Sequence, residues 1–427
     1  MHGITTRWNW NRWVAAGATA YIGALGWSDI ARADAVTDWH EIAANTLCSG
    51  LATPPRSGPT GLLDLAMVQI AVHDAVQSIG GKYKPYHTQV SGASGSPEAA
   101  TAKAAHDVLV AFYAPKAEEL GKTYKEYLAK KGLKEDDPGV AVGQKTAAAI
   151  IALRADDGRI PNPAFTGEEK VGMWRPTEPH KEMAGATLGA VKPFVIQSGS
   201  QFRPGPPPDL KSEQYATAYN EVKALGARTN STRTPEQTEL AKFYRSEHLC
   251  LIFQRTPRDA AIANVKSIDE SARLMALVNI AMADAIITVW DSKRHFNFWR
   301  PLTAIREGEN DGNPATAGDP SWMPFVDSGP HTPPYPDYTS GANGGTGAYT
   351  RMLANFFGKD DMTFTVTTTA PDVAQKTRTY NKFSDMATDM VNVRIYHGVH
   401  FRFADVAARD QGEKVADEVF KSVATPK

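Results

Sequence analysis

Apolar positions along the chain recur mainly at spacings of three and four, which sets one face of a helix against a core. Between Leu62 and Ile79, the residues Leu65, Val68, Ile70, Ala71, Ala75 and Val76 make a broad apolar face. Ala99–Tyr113, Ala117–Lys131 and Val140–Asp156 are alanine-rich and predict further helices, as does Ser212–Leu225. Thr234-Pro235-Glu236-Gln237 combines an N-cap residue with proline at the first helical position. Ser271–Trp299 predicts one long, largely apolar helix ending in a Lys-Arg cluster. Asn343–Phe357, Asp385–Tyr396 and Ala404–Val423 predict three more. Strand alternation is weak; Thr363–Thr369 alone predicts a short hairpin arm. Two stretches break the helical period. Gly158–Pro208 carries Pro161, Pro163, Pro176, Pro179, Pro193, Pro204 and the run Pro206-Pro207-Pro208, and Gly308–Tyr338 is again rich in proline and glycine. Both predict long, ordered loops. The pattern as a whole predicts an all-α bundle protein whose helices are joined by such loops.

Composition narrows this only a little. A chain of 427 residues is one large domain or two. A hydrophobic fraction of 42% and a charged fraction of 22% are those of a soluble globular protein. The formal net charge of -1 gives no reason to expect nucleic acid or an anionic membrane as partner, so any anion site must be a local cluster of cations. Arg7 and Arg12 precede an apolar run from Val14 to Trp27, and Ala31-Arg32-Ala33 has the small-x-small pattern of a signal-peptidase site. Residues 1–33 therefore predict a secretory signal, with the mature chain starting near Asp34, secreted or periplasmic and without a stable membrane anchor. No later stretch reaches the ~18 uninterrupted apolar residues of a transmembrane helix. The two cysteines, Cys48 and Cys250, permit one disulfide in an exported protein. Sequence leaves that pairing and two buried thiols equally open.

Three segments carry chemistry. Lys293 and Arg300 are seven residues apart, which on a continuous helix puts both cations on one face about 10 Å apart along the axis. Long cationic side chains so placed converge on one anion, although a basic last turn is also favoured by the helix dipole alone. Ser340-Gly341 follows the rigid Pro333-Pro334-Tyr335-Pro336 and precedes a helix. A hydroxyl and an amide there make an anion site, and the same serine makes a plain N-cap. His400 lies six residues after Arg394, with Gly398 between them to let the backbone turn. An imidazole beside an arginine-bound oxyanion serves as nucleophile toward phosphorus or as ligand to a metal oxyanion, and Asp405 is a candidate to orient its second nitrogen. A lone histidine is otherwise a packed, hydrogen-bonded core residue. His397-x-x-His400 as a zinc pair is disfavoured, because no His-Glu-x-x-His arrangement is present and the nearby arginines repel a cation.

In order and spacing, these pieces resemble the K-x6-R-P, P-S-G-H and S-R-x5-H motifs of the vanadium-dependent haloperoxidase and type-2 phosphatidate phosphatase superfamily. Phe298 to Arg306, Asp311-Gly312-Asn313-Pro314 and Pro333 to Tyr338 look like its bacterial secreted haloperoxidase-like branch, as do His73-Asp74-Ala75-Val76 and Gly199 to Pro204. The resemblance implies two helical bundles, residues 34–265 forming the N-terminal helical part and 266–427 a C-terminal bundle that carries the site. It implies that Lys293, Arg300 and Arg394 hold the equatorial oxygens of vanadate or phosphate, with Ser340 and the Gly341 amide completing the cradle. His400 becomes the vanadium ligand, or the phosphohistidine nucleophile of a phosphatase. Hydrogen peroxide and a halide or small organic molecule are then the partners.

The chain departs from the pattern twice. Thr339-Ser340-Gly341-Ala342 has alanine where the family carries its acid/base histidine, and Asn392-Val393-Arg394 lacks the serine before arginine. General acid–base help is worth roughly 10²–10⁴-fold in rate. The missing histidine thus bears on turnover, whereas every cradle residue is present. His295, His331 and His397 are the candidates to supply the proton instead. The chemistry expected is peroxide-driven halide oxidation, with an acid phosphatase or a catalytically impaired oxyanion-binding protein as alternatives.

Overall fold

The computed structural model describes residues 33–48, 58–159, 163–245, 249–325, 332–370 and 372–427. The secretory signal, apart from Ala33, and the candidate His331 lie outside the described residues.

Helical periodicity is realised almost throughout. In chain order the helices are α1 (Ala35–Cys48), α2 (Gly58–Gly80), α3 (Pro97–Phe112), α4 (Ala117–Lys131), α5 (Pro138–Leu153), α6 (Glu213–Leu225) and α7 (Pro235–Arg245). They continue as α8 (Leu249–Asn264), α9 (Ile268–Phe296), α10 (Pro301–Arg306), α11 (Gly341–Phe357), α12 (Phe383–Tyr396) and α13 (Arg402–Ser422). The predicted hairpin arm is present: β1 (Asp361–Thr367) pairs antiparallel with β2 (Thr377–Lys382). The predicted cap of α7 is a reciprocal capping box. Gln237 N–H donates to Thr234 Oγ1 at 3.2 Å, and Thr234 N–H donates to Gln237 Oε1 at 2.9 Å.

The central element is α9, whose side chains are buried along most of its length. It packs against α2 on the side of α3 and α5, and against α11 and α13 on the other. Both α2 and α9 are long and apolar enough to cross a membrane, but 89% and 94% of their most apolar stretches are buried against other helices. They are therefore core helices. Helices α11 and α13 approach more closely than side chains normally allow, because a Cβ at Gly412 would collide with the Gly344 carbonyl of α11. The Ser340 N–H also donates to the Ala404 carbonyl at 3.1 Å. That contact holds the start of α11 beside the start of α13.

The proline-rich segment after α5 is ordered by anchors on the helices. The buried Asp284 carboxylate of α9 accepts the backbone N–H groups of Phe194, Val195 and Ile196 at 2.7, 2.8 and 3.1 Å. Arg203 makes a two-pronged ion pair with Asp291, at 2.7 and 2.9 Å. In the N-terminal part Asp74 of α2 does the same job, accepting from Tyr86, His87 and Thr88 at 2.6, 3.0 and 2.8 Å. Cys48 and Cys250 form a disulfide, with Cα atoms 5.6 Å apart, that ties the end of α1 to α8.

One local expectation is corrected. Lys293 and Arg300 do not share a helix. Asn297 adopts the left-handed conformation (φ 47°, ψ 38°) and closes α9, and Arg300 is the extended residue (φ −90°, ψ 159°) that starts α10 at Pro301. Asparagine tolerates that left-handed cap, and proline is suited to the first helical turn.

Candidate oxyanion site

The segments bearing the candidate residues converge at one end of the α9–α11–α12–α13 group. Lys293, on the last turn of α9, donates from Nζ to the carbonyls of Pro336 and Asp337 at 2.5 and 3.1 Å. Arg300 donates from Nε to the Tyr335 carbonyl at 2.6 Å and from Nη1 to the Val399 carbonyl at 2.7 Å. The Tyr335 ring lies over both cations, its centroid 4.9 Å from Lys293 Nζ and 4.8 Å from Arg300 Cζ. Arg394, on the last turn of α12, donates to His397 Nδ1 at 3.1 Å, while His397 Nε2 bonds the Ala241 carbonyl at 2.8 Å. Gly398, at φ +75°, turns the backbone between Arg394 and His400.

Ser340 is the N-cap residue of α11, but its hydroxyl makes no capping bond. It accepts instead from Asn343 Nδ2 at 3.4 Å. The same amide group donates to Asp405 Oδ1 at 2.8 Å. His400 Nδ1 lies 2.7 Å from Asp337 Oδ1, and its Nε2 lies 3.5 Å from Arg300 Nη1. The carboxylate at the second nitrogen of His400 is therefore Asp337, not Asp405 as the sequence suggested. Asp405 is held by Asn343, one turn into α11, and it faces the serine side of the cluster. Asp337 and Asn343 are the polar partners that sequence reasoning missed, although Asp337 sits inside the segment that carries the family resemblance.

Of the histidines proposed to replace the missing acid/base, the two within the described residues, His295 and His397, differ in position. His295 is exposed, and its ring makes an edge contact with Phe296 at 4.7 Å. His397 is buried with both ring nitrogens engaged, so it positions Arg394 and has no nitrogen left for a further partner. Ala342 is only partly buried.

The electrostatics are unusual for a protein interior. Lys293, Arg300, Arg394 and His400 are 0%, 1%, 8% and 1% exposed. Among the described residues no ion pair joins any of the three cations to a carboxylate; each is held by carbonyls or by an imidazole. Among the described residues, the buried donors Arg300 Nη2 and Arg394 Nε have no hydrogen-bond partner. Burial, reinforced by Arg300, pushes the Lys293 ammonium well below its ordinary range. Burial also lowers Arg394, and it brings Arg300 down to about 10. Burial and the neighbouring Arg300, Lys293 and Arg394 hold the His400 imidazole neutral at pH 7. Burial raises Asp337 to about 7 and Asp405 well above the usual carboxylate range.

Burying a cation without a directly paired carboxylate is costly. Three such cations, two of them with donors left over, fit an oxyanion that accepts several hydrogen bonds at once, and a neutral imidazole in the same cluster fits a ligand to it. They do not fit a metal cation, and among the described residues no group of three or more His, Cys, Asp or Glu side chains is arranged to hold one.

Comparison with known proteins finds similar sequences and folds. Residues 273–426 match the family described as the VCPO second helical-bundle domain, a span that begins inside α9 and contains every site residue above. Vanadium chloroperoxidase of Curvularia inaequalis is 29% identical over 267 residues, covering 48% of this chain and 43% of that protein. The chain thus matches less than half the length of this curated relative. A bacterial vanadium-dependent iodoperoxidase structure superposes with a TM-score of 0.78 at 22% identity, over 92% of this chain and 98% of that one. The holo form of a bacterial vanadium-dependent chloroperoxidase superposes with a TM-score of 0.72 at 16% identity, over 92% and 98% of the two chains. The family match over residues 273–426, the curated relative and the superposed structures all point to the vanadium haloperoxidase superfamily. The all-α fold is the one that these solved structures share.

Proposed function

We propose that this protein is a vanadium-dependent haloperoxidase that oxidises halide with hydrogen peroxide. The observation that carries the reading is the set of three buried cations that ion-pair with no carboxylate among the described residues, gathered around a neutral imidazole. Lys293, Arg300 and Arg394 would hold the oxygens of vanadate, the Ser340 hydroxyl and Gly341 amide would complete the cradle, and His400 Nε2 would be the ligand to it. Bound vanadate supplies Lewis acidity toward peroxide. The protein's own residues neutralise the oxyanion charge, exclude water through burial, and keep the imidazole unprotonated so that its lone pair is available. Phosphate has the same shape and would compete for the same donors.

Ala342 favours a second reading, an oxyanion-binding protein with little turnover, because no imidazole stands at the α11 position where the family keeps its acid/base. The same gap weakens an acid phosphatase working through phospho-His400, whose leaving group needs a proton. The Cys48–Cys250 disulfide supports export, since such bonds persist in oxidising compartments. On this reading residues 1–33 are a signal removed from the mature chain, residues 34–265 form the N-terminal helical part and residues 266–427 carry the site.

The test is titration of the protein with orthovanadate, following peroxide-dependent halide oxidation and p-nitrophenyl phosphate hydrolysis in parallel. Vanadate-dependent oxidation that His400→Ala removes is the expected result. Phosphate ester hydrolysis inhibited by vanadate would replace this reading with the phosphatase, and tight binding with neither activity would replace it with the impaired protein.

A further inference from the structure

We infer that Asp337 is the positioning residue of His400: its carboxylate holds the ring as the Nδ1–H tautomer and turns the Nε2 lone pair toward the oxyanion cradle. The inference rests on the oxyanion-site reading above.

The two edges of the His400 ring meet different chemistry. Nδ1 lies 2.7 Å from Asp337 Oδ1, the side chains being 1% and 0% exposed, so water is not a competing partner. Nε2 faces Arg300 Nη1 at 3.5 Å. A guanidinium only donates, so the nitrogen turned toward it must carry the lone pair. The single ring proton then belongs on Nδ1 and is donated to the carboxylate. The opposite arrangement, a protonated Asp337 donating to Nδ1, would aim an Nε2–H at the Arg300 donor.

Asp337 is itself fixed. Its N–H donates to the Phe298 carbonyl at 2.9 Å, and its carbonyl accepts from Lys293 Nζ at 3.1 Å. One residue thus sets both a cradle cation and the candidate ligand. It sits three positions before Ser340, on the loop that leads into α11. Asp405 is held elsewhere, its Oδ1 accepting from Asn343 Nδ2 at 2.8 Å, while Asp337 already occupies His400 Nδ1. A carboxylate behind a ligating imidazole fixes its tautomer and orientation and increases its basicity, and loss of such a partner typically costs 10- to 100-fold in affinity.

The test uses the full chain with ¹⁵N-labelled histidine and no added anion. Long-range ¹H–¹⁵N correlation at pH 7 reads the His400 tautomer directly, with the His400→Ala spectrum giving the assignment. The expected spectrum has a pyrrole-like Nδ1 and a pyridine-like Nε2. Asp337→Asn keeps a neutral acceptor, so the tautomer should persist while orthovanadate affinity falls by about 10-fold. Asp337→Ala should mix the tautomers and lower affinity by about 100-fold. An Nε2–H ring in the unmodified protein overturns the inference, as does an Asp337→Asn protein that binds orthovanadate undiminished. Should the Ala variant not fold, the Asn variant and the unmodified spectrum decide the matter. An Nδ1–H tautomer that the Ala variant loses, in a protein that binds no vanadate, would leave Asp337 in its role and remove the oxyanion reading instead.

Discussion

The anchor aspartates and the site cations are both buried charge, but they are satisfied in opposite ways. Asp284 and Asp74 each accept three backbone N–H groups from a loop, so their charge is met within the fold. Arg300 and Arg394 keep buried donors that nothing in the described chain accepts, and Lys293 rests on carbonyls. The first arrangement orders a loop. On the proposed oxyanion reading, the second holds a charge in readiness for a partner from outside. Burial alone does not separate structural from functional charge; the completeness of the hydrogen bonding does.

The contrast breaks most visibly at the anchors. Asp284→Ala leaves three buried N–H groups without an acceptor, each worth about 1–3 kcal/mol. Urea unfolding should show a loss of about 4 kcal/mol. A loss below ~1 kcal/mol would mean that the loop is held by other contacts.

At the site the same kind of truncation should act in reverse. Arg394→Met removes a charge-assisted contact to the oxyanion and should weaken orthovanadate binding by about 100-fold in calorimetry. In the ligand-free protein it removes a buried cation that has no carboxylate partner among the described residues, at the cost of its contact with His397 Nδ1, so stability should hold or rise by ~1–2 kcal/mol. A strongly destabilised Arg394→Met protein would show that this arginine is structural after all.

Ala342→His sharpens the comparison from the other side. It restores an imidazole at the first turn of α11, at a partly exposed position. Turnover with saturating vanadate should rise by about 10²-fold, while orthovanadate affinity changes little. Equal rates in the two proteins would show that the acid/base group is supplied elsewhere.

The smallest effect is a matter of sign. Burial raises Asp74 and Asp284 from 3.8 to about 6. The folded state therefore binds these protons more tightly than the unfolded chain. Their contribution is fully present below about 4 and is lost as pH rises through about 6. His40 and His73, lowered by burial to about 4, act oppositely: their contribution is present above 6.5 and is lost as pH falls through 4. The two trends overlap in the unmodified protein, so the readout is a difference. The stability advantage of the unmodified protein over Asp284→Asn should shrink between pH 4 and 7 by about 2 kcal/mol. An advantage that grows with pH would contradict the assignment.

Much of the fold is legible because its signals are local. The α7 capping box, the hairpin arm and the helical faces of α2, α9 and α13 need no knowledge of neighbours. Helix α8 is hidden by Pro257 in its interior, which tertiary packing overrides. Helix α1 is not hidden: Val36, Trp39, Ala43 and Leu47 keep helical spacing. At the site, motif spacing locates the lysine, both arginines, the serine and the histidine. It cannot locate the contact between Asp337 and His400, 63 residues apart, which exists only once α11 and α13 are packed together. The same limit misplaced Arg300 on α9, since the seven-residue spacing assumes that the helix continues through Asn297.

The most direct test of the central claim is isothermal titration of the protein with orthovanadate, alone and then in the presence of phosphate. The account predicts one site per chain, competition by phosphate, and loss of binding in both Arg300→Ala and His400→Ala proteins that remain folded. Absence of binding, or binding that survives both substitutions, would contradict it.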